Sequence, residues 1–454
     1  MILKRKIYDK LLAWKEECKG SKAVLIEGAR RIGKSTIAEE FAKNEYKSYI
    51  LIDFSKGDSD VESYFNRYLN DLDTFFMLLS AHFKVQLENR KSLIIFDEVQ
   101  MFPRARATIK YLVEDGRYDY IETGSLISIK ENIKGIVLPS EERHVKMYPL
   151  DFEEFLWAMG EAILLEYIKD CFEKKKELER SLHNKAMMLF KQYMLVGGMP
   201  KPLIVFIENH KDFVLSDKEK RDILELYRSD IMKINAQYKS KVLSLYDQIP
   251  GLLSSHEKRV VLKNIDGDKG SSFDRYEESF FWLADSMIAN ECFLTSDPNI
   301  GLSLNEVRTY IKCYFLDTGL LVSHAFDENE LLEDGIYKAI LTDKLSINEG
   351  MLYENVIAQM LVANGHKLYF YTCYNKEKHR NDIEIDFIIS NKSKLNYKIF
   401  PIEVKSTPRY SAASLEKFNE KFKSRIGASY IIHPRNLIVK DNIICIPPYM
   451  TFCI

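Results

Sequence analysis

The chain is poor in cysteine and tryptophan and has almost no net charge. Seven cysteines occur among 454 residues, and no two form a CxxC pair. That excludes a disulfide-stapled scaffold and the usual zinc ribbon or finger, and it fits reduced thiols in a cytoplasmic protein. The nine histidines make no HxxxH or HExxH spacing, which excludes the common helical zinc sites. Ser, Cys and His residues form no recognisable nucleophile triad. No stretch reaches 18 uninterrupted apolar residues, so neither a membrane-spanning helix nor a membrane partner is expected. The first 20 residues lack the apolar run of a signal peptide. Ile7, Leu11, Leu12 and Trp14 are instead spaced as one face of an amphipathic helix. Internal repeats and low-complexity segments are absent.

What is present is ordinary for a folded protein: 46% hydrophobic and 29% charged residues. At roughly 150 residues per domain the length suggests about three domains. The 65 basic and 67 acidic residues nearly cancel, but not evenly. Residues 345–454 hold 15 basic and 10 acidic residues, which permits a nucleic-acid surface without demanding one.

Between Ala23 and Pro149 short apolar runs alternate with helical stretches. Ala23–Ile26, Tyr49–Ile52, Leu93–Phe96 and Tyr120–Glu122 read as strands, the pattern of an open parallel sheet with crossover helices. From Phe152 to about Tyr238 strand signals nearly vanish. The charged run Glu173–Arg180 reads as a solvated helix face, and Gly197-Gly198-Met199-Pro200 as a breaker. Residues 240–325 read as helices followed by a hairpin, with strands at Cys292–Leu294 and Ile311–Phe315. That order is compatible with a winged helix. Its candidate second helix carries Asp274, Arg275, Glu277 and Glu278, which oppose a phosphate backbone, while Lys239, Lys241, Lys258, Arg259 and Lys263 leave DNA contact open. The last region opens with a helix, Leu352–Ala363. Strands follow at Leu368–Tyr371, Glu384–Ile389, Ile399–Val404 and Tyr430–Ile432.

Gly28-Ala29-Arg30-Arg31-Ile32-Gly33-Lys34-Ser35 matches GxxxxGK[ST] after a strand and before a helix that begins at Thr36. Such a loop turns its backbone N–H groups onto phosphates, aided by the helix N-terminus. Lys34 would reach the β- and γ-phosphates and Ser35 would ligate magnesium, so ATP and Mg2+ are the expected cofactors. The strand Leu93–Phe96 ends in Asp97-Glu98, placed 62 residues after Ser35. Two carboxylates at the end of a buried strand are expensive unless they are used. Asp97 would hold magnesium and Glu98 would polarise the attacking water. Gln100 either faces the γ-phosphate or caps a loop. At the end of the next strand, Ser125 or Thr123 would act as a γ-phosphate sensor, or Ser125 would simply cap a helix.

These segments together resemble the prokaryotic AAA-family ATPases that carry a C-terminal domain of unknown function. The resemblance rests on Gly28–Ser35, Asp97-Glu98-Val99-Gln100, Thr123-Gly124-Ser125 and Pro149-Leu150-Asp151-Phe152-Glu153-Glu154-Phe155. It continues through Gly197–Pro200, Tyr314-Phe315-Leu316-Asp317-Thr318-Gly319-Leu320 and Glu354-Asn355. In similar sequences a Gly-Arg pair precedes the Pro-Leu-x-Phe stretch. Here Glu142-Arg143 stands in that place, so Arg143 is a candidate arginine finger that lacks its glycine, and surface Arg is the competing reading. Arg30 and Arg31 are alternative cations.

In the last region Asp386 precedes an apolar run, and Glu403-Val404-Lys405 follows on the next strand. Residues two apart on a strand share a face, so Glu403 and Lys405 point the same way. An Asp followed by ExK is the arrangement of restriction-endonuclease-like sites, and the resemblance implies a nuclease-like fold here. Asp386 and Glu403 would hold magnesium, Glu354 would add a ligand from its helix, and Lys405 would position or activate water. Half-exposed strands with alternating polar faces, or a nuclease fold that binds without cutting, give the same spacing.

The expected architecture is α/β. A P-loop AAA-type core (1–150) precedes a helical lid (151–238), a winged-helix-like segment (239–330) and a restriction-endonuclease-like domain (331–454). The expected function is Mg-ATP binding and hydrolysis in a protein acting on DNA, with a metal-dependent nuclease site at the C-terminus. The alternative is an ATP-controlled switch or scaffold whose last domain binds a protein partner or a second copy of the chain.

Overall fold

The computed structural model describes residues 1–125, 140–234, 236–255, 277–326, 334–341, 349–375, 377, 379–390 and 398–454. Asp274, Arg275, Lys258, Arg259 and Lys263 of the candidate winged helix lie outside these residues. The chain divides into two compact units, residues 2–148 with 285–287, and residues 149–284 with 288–454. The four expected segments are therefore carried by two bodies.

The first unit is built on five strands: β1 (Ala23–Glu27), β2 (Ser48–Asp53), β3 (Ser92–Asp97), β4 (Asp119–Gly124) and β5 (Glu142–Lys146). All pair in parallel, in the order β2-β3-β4-β1-β5. This is the fold of a P-loop NTPase. Every residue of β1, β3 and β4 is buried, as strands covered on both faces require. One face packs on a phenylalanine-rich cluster, in which Phe65 meets Phe54, Phe75, Phe96 and Phe102 at ring-centroid distances of 5.0–5.8 Å. Each such side chain contributes roughly 2–3 kcal/mol on burial. The N-terminal helix Ile7–Cys18 forms as expected and buries Ile7, Leu11 and Trp14.

β5 was not legible in the sequence. Its residues Glu-Arg-His-Val-Lys are polar because it is an edge strand, in register with β1 from Ala23↔Glu142 to Glu27↔Lys146. Of its two buried residues Val145 is apolar, and Glu142 is paired with a buried partner instead. Arg106 Nε and Nη2 donate to Glu142 at 3.0 and 2.8 Å. Arg143 lies on this edge, is 40% exposed at its side chain, and pairs with Glu17 at 2.6 Å.

The second unit begins with helices Phe152–Ala158, Ala162–Glu173, Arg180–Val196, Pro200–Glu208, Phe213–Ile231 and Ala236–Ser254. Asp151 starts the first of them with a capping box. Its side chain accepts from the Glu154 N–H at 2.9 Å, and Glu154 Oε2 accepts from the Asp151 N–H at 3.2 Å. The run Glu173–Arg180 is not a helix face. One helix ends at Glu173 and the next begins at Arg180, and the Asn436 side chain satisfies both backbone groups of Leu178 in the turn between them. Apolar Leu178, buried between charged neighbours, is what breaks the helical period.

An eight-stranded mixed sheet follows, in the order β12-β13-β11-β10-β9-β8-β6-β7. Its members are β6 (Ala289–Thr295), β7 (Glu306–Phe315), β8 (Leu368–Asn375), β9 (Arg380–Ser390), β10 (Ile399–Val404), β11 (Ser429–Ile432), β12 (Ile438–Lys440) and β13 (Ile443–Ile446). The β6–β7 hairpin exists where it was expected, but it is not the wing of a separate module. β6 runs parallel to β8, with Cys292 opposite Leu368 and Leu294 opposite Phe370, so the hairpin extends the C-terminal sheet. A boundary at 330 falls inside one sheet. Sequence reasoning missed this because β6 and β8 are far apart in the chain, and parallel pairing leaves no local turn signal.

The segments from Gly197 onward that carry the family resemblance meet in this unit. The Asp317 carboxylate accepts from the Gly198 N–H at 2.6 Å and caps Leu320 N at 2.9 Å. Asn355 Oδ1 accepts from Phe315 N at 2.7 Å, and its amide donates to Phe315 O and Thr318 Oγ1 at 3.2 and 2.9 Å. A Cβ at Gly198 would stand 2.1 Å from the Leu150 carbonyl oxygen. Gly198 is therefore required by close approach of the backbone. These motifs join helices to sheet and are structural.

Candidate functional site

The first site sits at the C-terminal ends of β1, β3 and β4, where a parallel sheet opens its ligand crevice. The P-loop links β1 to the helix Lys34–Glu45, and Gly33 turns it at φ 93°, a left-handed angle suited to glycine. Lys34 is buried and donates to the carbonyls of Gly28 and Ala29, both at 2.9 Å. Burial pulls its ammonium down to about 8, while Glu98 and Asp97 pull the other way. Its charge therefore lacks an anion strong enough to offset desolvation, which a phosphate would supply.

Ser35 Oγ donates to Asp97 Oδ1 at 2.7 Å. Adjacent ligands in an octahedron with ~2.1 Å bonds lie about 3 Å apart, so these two oxygens already suit Mg2+. Thr123 Oγ1 also donates to Asp97 Oδ1, and accepts from the Glu98 N–H at 3.2 Å. Glu98 occupies a left-handed conformation, φ 51°, which costs roughly 1–2 kcal/mol. Gln100 donates to Glu98 Oε2. Ser125 is buried at the end of β4, beside the same crevice. Ile32 is buried within the loop, and Ala29 beside it; Arg31 is exposed, Arg30 half-buried, and the helix starts at Lys34, two residues before the expected Thr36.

Sequence reasoning missed Arg5. Its guanidinium is buried and donates to Ile32 O at 2.9 Å and to Tyr148 O at 2.6 Å, pinning the loop from outside the motif. No spacing rule connects a residue near the N-terminus to this loop. Equally unforeseen is the polar cluster beneath β1, β4 and β5. Burial and the nearby Glu142 push the Glu122 carboxyl well above the usual carboxylate range. His144 is raised to about 9 by hydrogen bonds to Glu142 and Glu27, the latter at 2.8 Å. Its folded value exceeds the ordinary 6.5. Its contribution to stability is therefore full below about pH 6.5 and lost as pH rises through about 9. The side chain is about half exposed, so the effect stays within about 1 kcal/mol. Denaturant midpoints between pH 6 and 10 should fall less steeply for His144→Gln than for the native chain, and identical slopes would remove this role.

The second site is a cavity of about 430 Å³ in the C-terminal sheet, lined by Glu354, Asp386, Glu403, Lys405, Lys417 and others. β9 and β10 are antiparallel, with Ile402 opposite Phe387, which sets Glu403 beside Asp386. The helix Glu349–Ala363 brings Glu354 to the same cavity. Asp386 Oδ2 accepts from the Val404 N–H at 2.8 Å. Lys405 Nζ lies 2.6 Å from Glu403 Oε1. The other oxygen, Glu403 Oε2, is buried with no hydrogen-bond partner among the described residues. Burial pushes the Glu403 carboxyl up to about 7, opposed by Lys405. A buried carboxylate oxygen left without a donor costs about 1–3 kcal/mol or more, and a cation would satisfy it. The cavity rim also carries Asp382 and Glu384.

The exposed trio Asp58, Asp60 and His82 is accounted for locally. Asp58 caps the helix Ser59–Arg67 and pairs with His82 at 3.0 Å. Among the described residues no helix is long and apolar enough to cross a membrane.

An AAA domain is matched by residues 20–156. Residues 187–330 match a domain of unknown function (DUF8612), and residues 349–450 another (DUF4143). No curated protein matches the chain. Among solved structures, a Walker-type ATPase of Pyrococcus abyssi is similar at a TM-score of 0.39 and 16% identity, covering 71% of this chain and 96% of that one. A signal-transduction ATPase with numerous domains and a tetratricopeptide-repeat sensor, from Pyrococcus horikoshii, has a TM-score of 0.28 and 12% identity, with 80% and 49% covered. Cdc6p from Pyrobaculum aerophilum has a TM-score of 0.26 and 11% identity, with 75% and 94% covered. The chain thus carries an AAA-family P-loop ATPase domain, followed by domains to which the matches assign no function.

Proposed function

We propose that this ATPase binds and hydrolyses Mg-ATP to act on DNA, and that its C-terminal cavity is a divalent-metal site of nuclease type. The observation that carries the second half is the unpartnered, buried Glu403 Oε2 beside Asp386, in a cavity shared with Lys405 and Glu354. Hard oxygen donors of this kind suit Mg2+ or Mn2+.

At the first site Lys34 leaves the loop carbonyls for the β- and γ-phosphates, and the loop N–H groups hold them. Ser35 and Asp97 hold Mg2+, which when bound neutralises phosphate charge. Glu98 orients the attacking water once Gln100 releases it. Thr123 keeps Asp97 and the Glu98 backbone in register, and Ser125 is placed to sense the γ-phosphate. At the second site Asp386 and Glu403, helped by Glu354, would hold the divalent ion, whose contribution would be to acidify water and to offset charge on the leaving oxygen. Lys405 orients the water and offsets charge on the scissile phosphate.

The acidic rim, Asp382 and Glu384, favours a second reading, an ATP-controlled switch whose last domain binds a protein or a second copy of the chain. Titration of duplex DNA against salt separates the two. The first reading expects affinity to fall steeply with salt, with a log–log slope of several units. Absence of binding at low salt leaves the switch.

A further inference from the structure

One buried cation beside the C-terminal cavity belongs to no motif. Lys312 lies on β7 opposite Cys292 of β6, and it is 3% exposed. Three strand steps separate β7 from β9 in the sheet order. In a flat sheet that is about 14 Å, at ~4.8 Å per step. Yet Lys312 Nζ stands 3.9 Å from Asp386 Oδ1. The long lysine side chain therefore reaches across β6 and β8, over Phe370, to the carboxylate on β9. Phe370 of β8 lies under the ammonium, 5.0 Å from ring centroid to Nζ. Two residues along β7, the Tyr314 hydroxyl donates to Glu354 Oε2 at 3.2 Å. One strand thus addresses two of the three carboxylates.

We propose that Lys312 is a built-in second cation of this site, so that the site takes one divalent ion and not two. The inference rests on reading the cavity as a divalent-metal site. Where two metal ions act together they lie about 3.5–4 Å apart, bridged by a carboxylate. Lys312 Nζ stands 3.9 Å from Asp386 Oδ1, the oxygen not used by Val404, so it sets a fixed positive charge beside the oxygen through which a second ion would have to be bridged. Charge balance agrees. Glu354, Asp386 and Glu403 carry three negative charges against two positive charges on Lys312 and Lys405, while on the rim Asp382 pairs with Lys417 and Glu384 is exposed to water. One divalent ion then leaves a single positive charge, matched to one phosphodiester. A second ion would leave three, in a place with little water to screen them. Lys312 is a positioning residue that selects ion number and orients Asp386; it is not assigned to the reacting atoms.

The test uses the full chain, Mn2+ alone and electron paramagnetic resonance, with no nucleotide. Ions held elsewhere are subtracted by comparison with Asp386→Asn. The native chain should lose one isolated Mn2+ on that substitution and show no exchange-coupled pair. Lys312→Met should bind its first ion at least about tenfold more tightly, as removal of a nearby like charge requires, and add a coupled second ion. Lys312→Arg should keep one ion. A coupled pair in the native chain overturns the proposal, whether or not Lys312→Met folds. Unchanged stoichiometry and affinity in a folded Lys312→Met also overturns it. Identical Mn2+ binding by the native chain and Asp386→Asn removes the metal-site reading itself, a result distinct from failure of the Lys312 assignment alone.

Discussion

Lys34→Ala abolishes ATP binding, by at least about 100-fold, and leaves the fold intact. The size follows from removing the one buried cation aimed at the phosphates, where single preorganised donors contribute about 10²–10³. The fold survives because, among the described residues, the ammonium donates its hydrogen bonds to the Gly28 and Ala29 carbonyls, and burying it is unfavourable in the first place. Thermal midpoints measured with and without Mg-ATP check both halves: the ligand-induced rise disappears and the baseline does not fall. Glu98→Gln behaves differently. It keeps nucleotide and lowers turnover by about 10²–10⁴, the usual worth of a positioned base. The amide still accepts from Gln100 and leaves the Thr123 contact to the backbone unchanged. Equal turnover in Glu98→Gln and the native enzyme would reject Glu98 as the base.

The second large effect concerns the C-terminal cavity. With plasmid or linear DNA and Mg2+ or Mn2+, Asp386→Ala and Lys405→Ala should each lower cleavage by about 100-fold or more, with and without ATP. Asp386 is the carboxylate shared by the Val404 N–H and the cavity. Removing it takes away a proposed ligand and lets the end of the β9–β10 ladder loosen. Removing Lys405 leaves Glu403 buried without its 2.6 Å partner. The two losses differ in kind. Asp386→Ala should be insensitive to added metal, whereas Lys405→Ala should keep its ion. No cleavage by the native chain under any of these conditions moves the function to the ATP-controlled switch.

The P-loop, Asp97-Glu98 and strands β1 to β4 were legible because each depends on neighbours in the chain. A loop that cradles phosphate needs its glycines, lysine and hydroxyl at set offsets. A strand covered on both faces needs a continuous apolar run, as in Leu93–Phe96. The capping box at Asp151 and Glu154 is equally local. The pairing of Asp386 with Glu403 was within reach because two adjacent strands and a period of two suffice to place them. Gln100 was left between two roles, and the fold adds a third, a hold on Glu98. β5 failed for the opposite reason: its polar residues are paid for by Arg106 and Glu27, which lie in other elements.

Local pattern in the chain thus specified the chemistry available: a phosphate-binding loop, paired acids on strand ends, and an Asp-then-ExK set. Folding in three dimensions settled which groups share a space. It attached the 289–315 hairpin to β8, carried Arg5 to the P-loop, and brought the Lys312 ammonium to 3.9 Å from Asp386. Those contacts join residues separated by tens of positions or more. Their energies depend on burial and on partners that no sequence window contains, so no periodicity or motif could announce them.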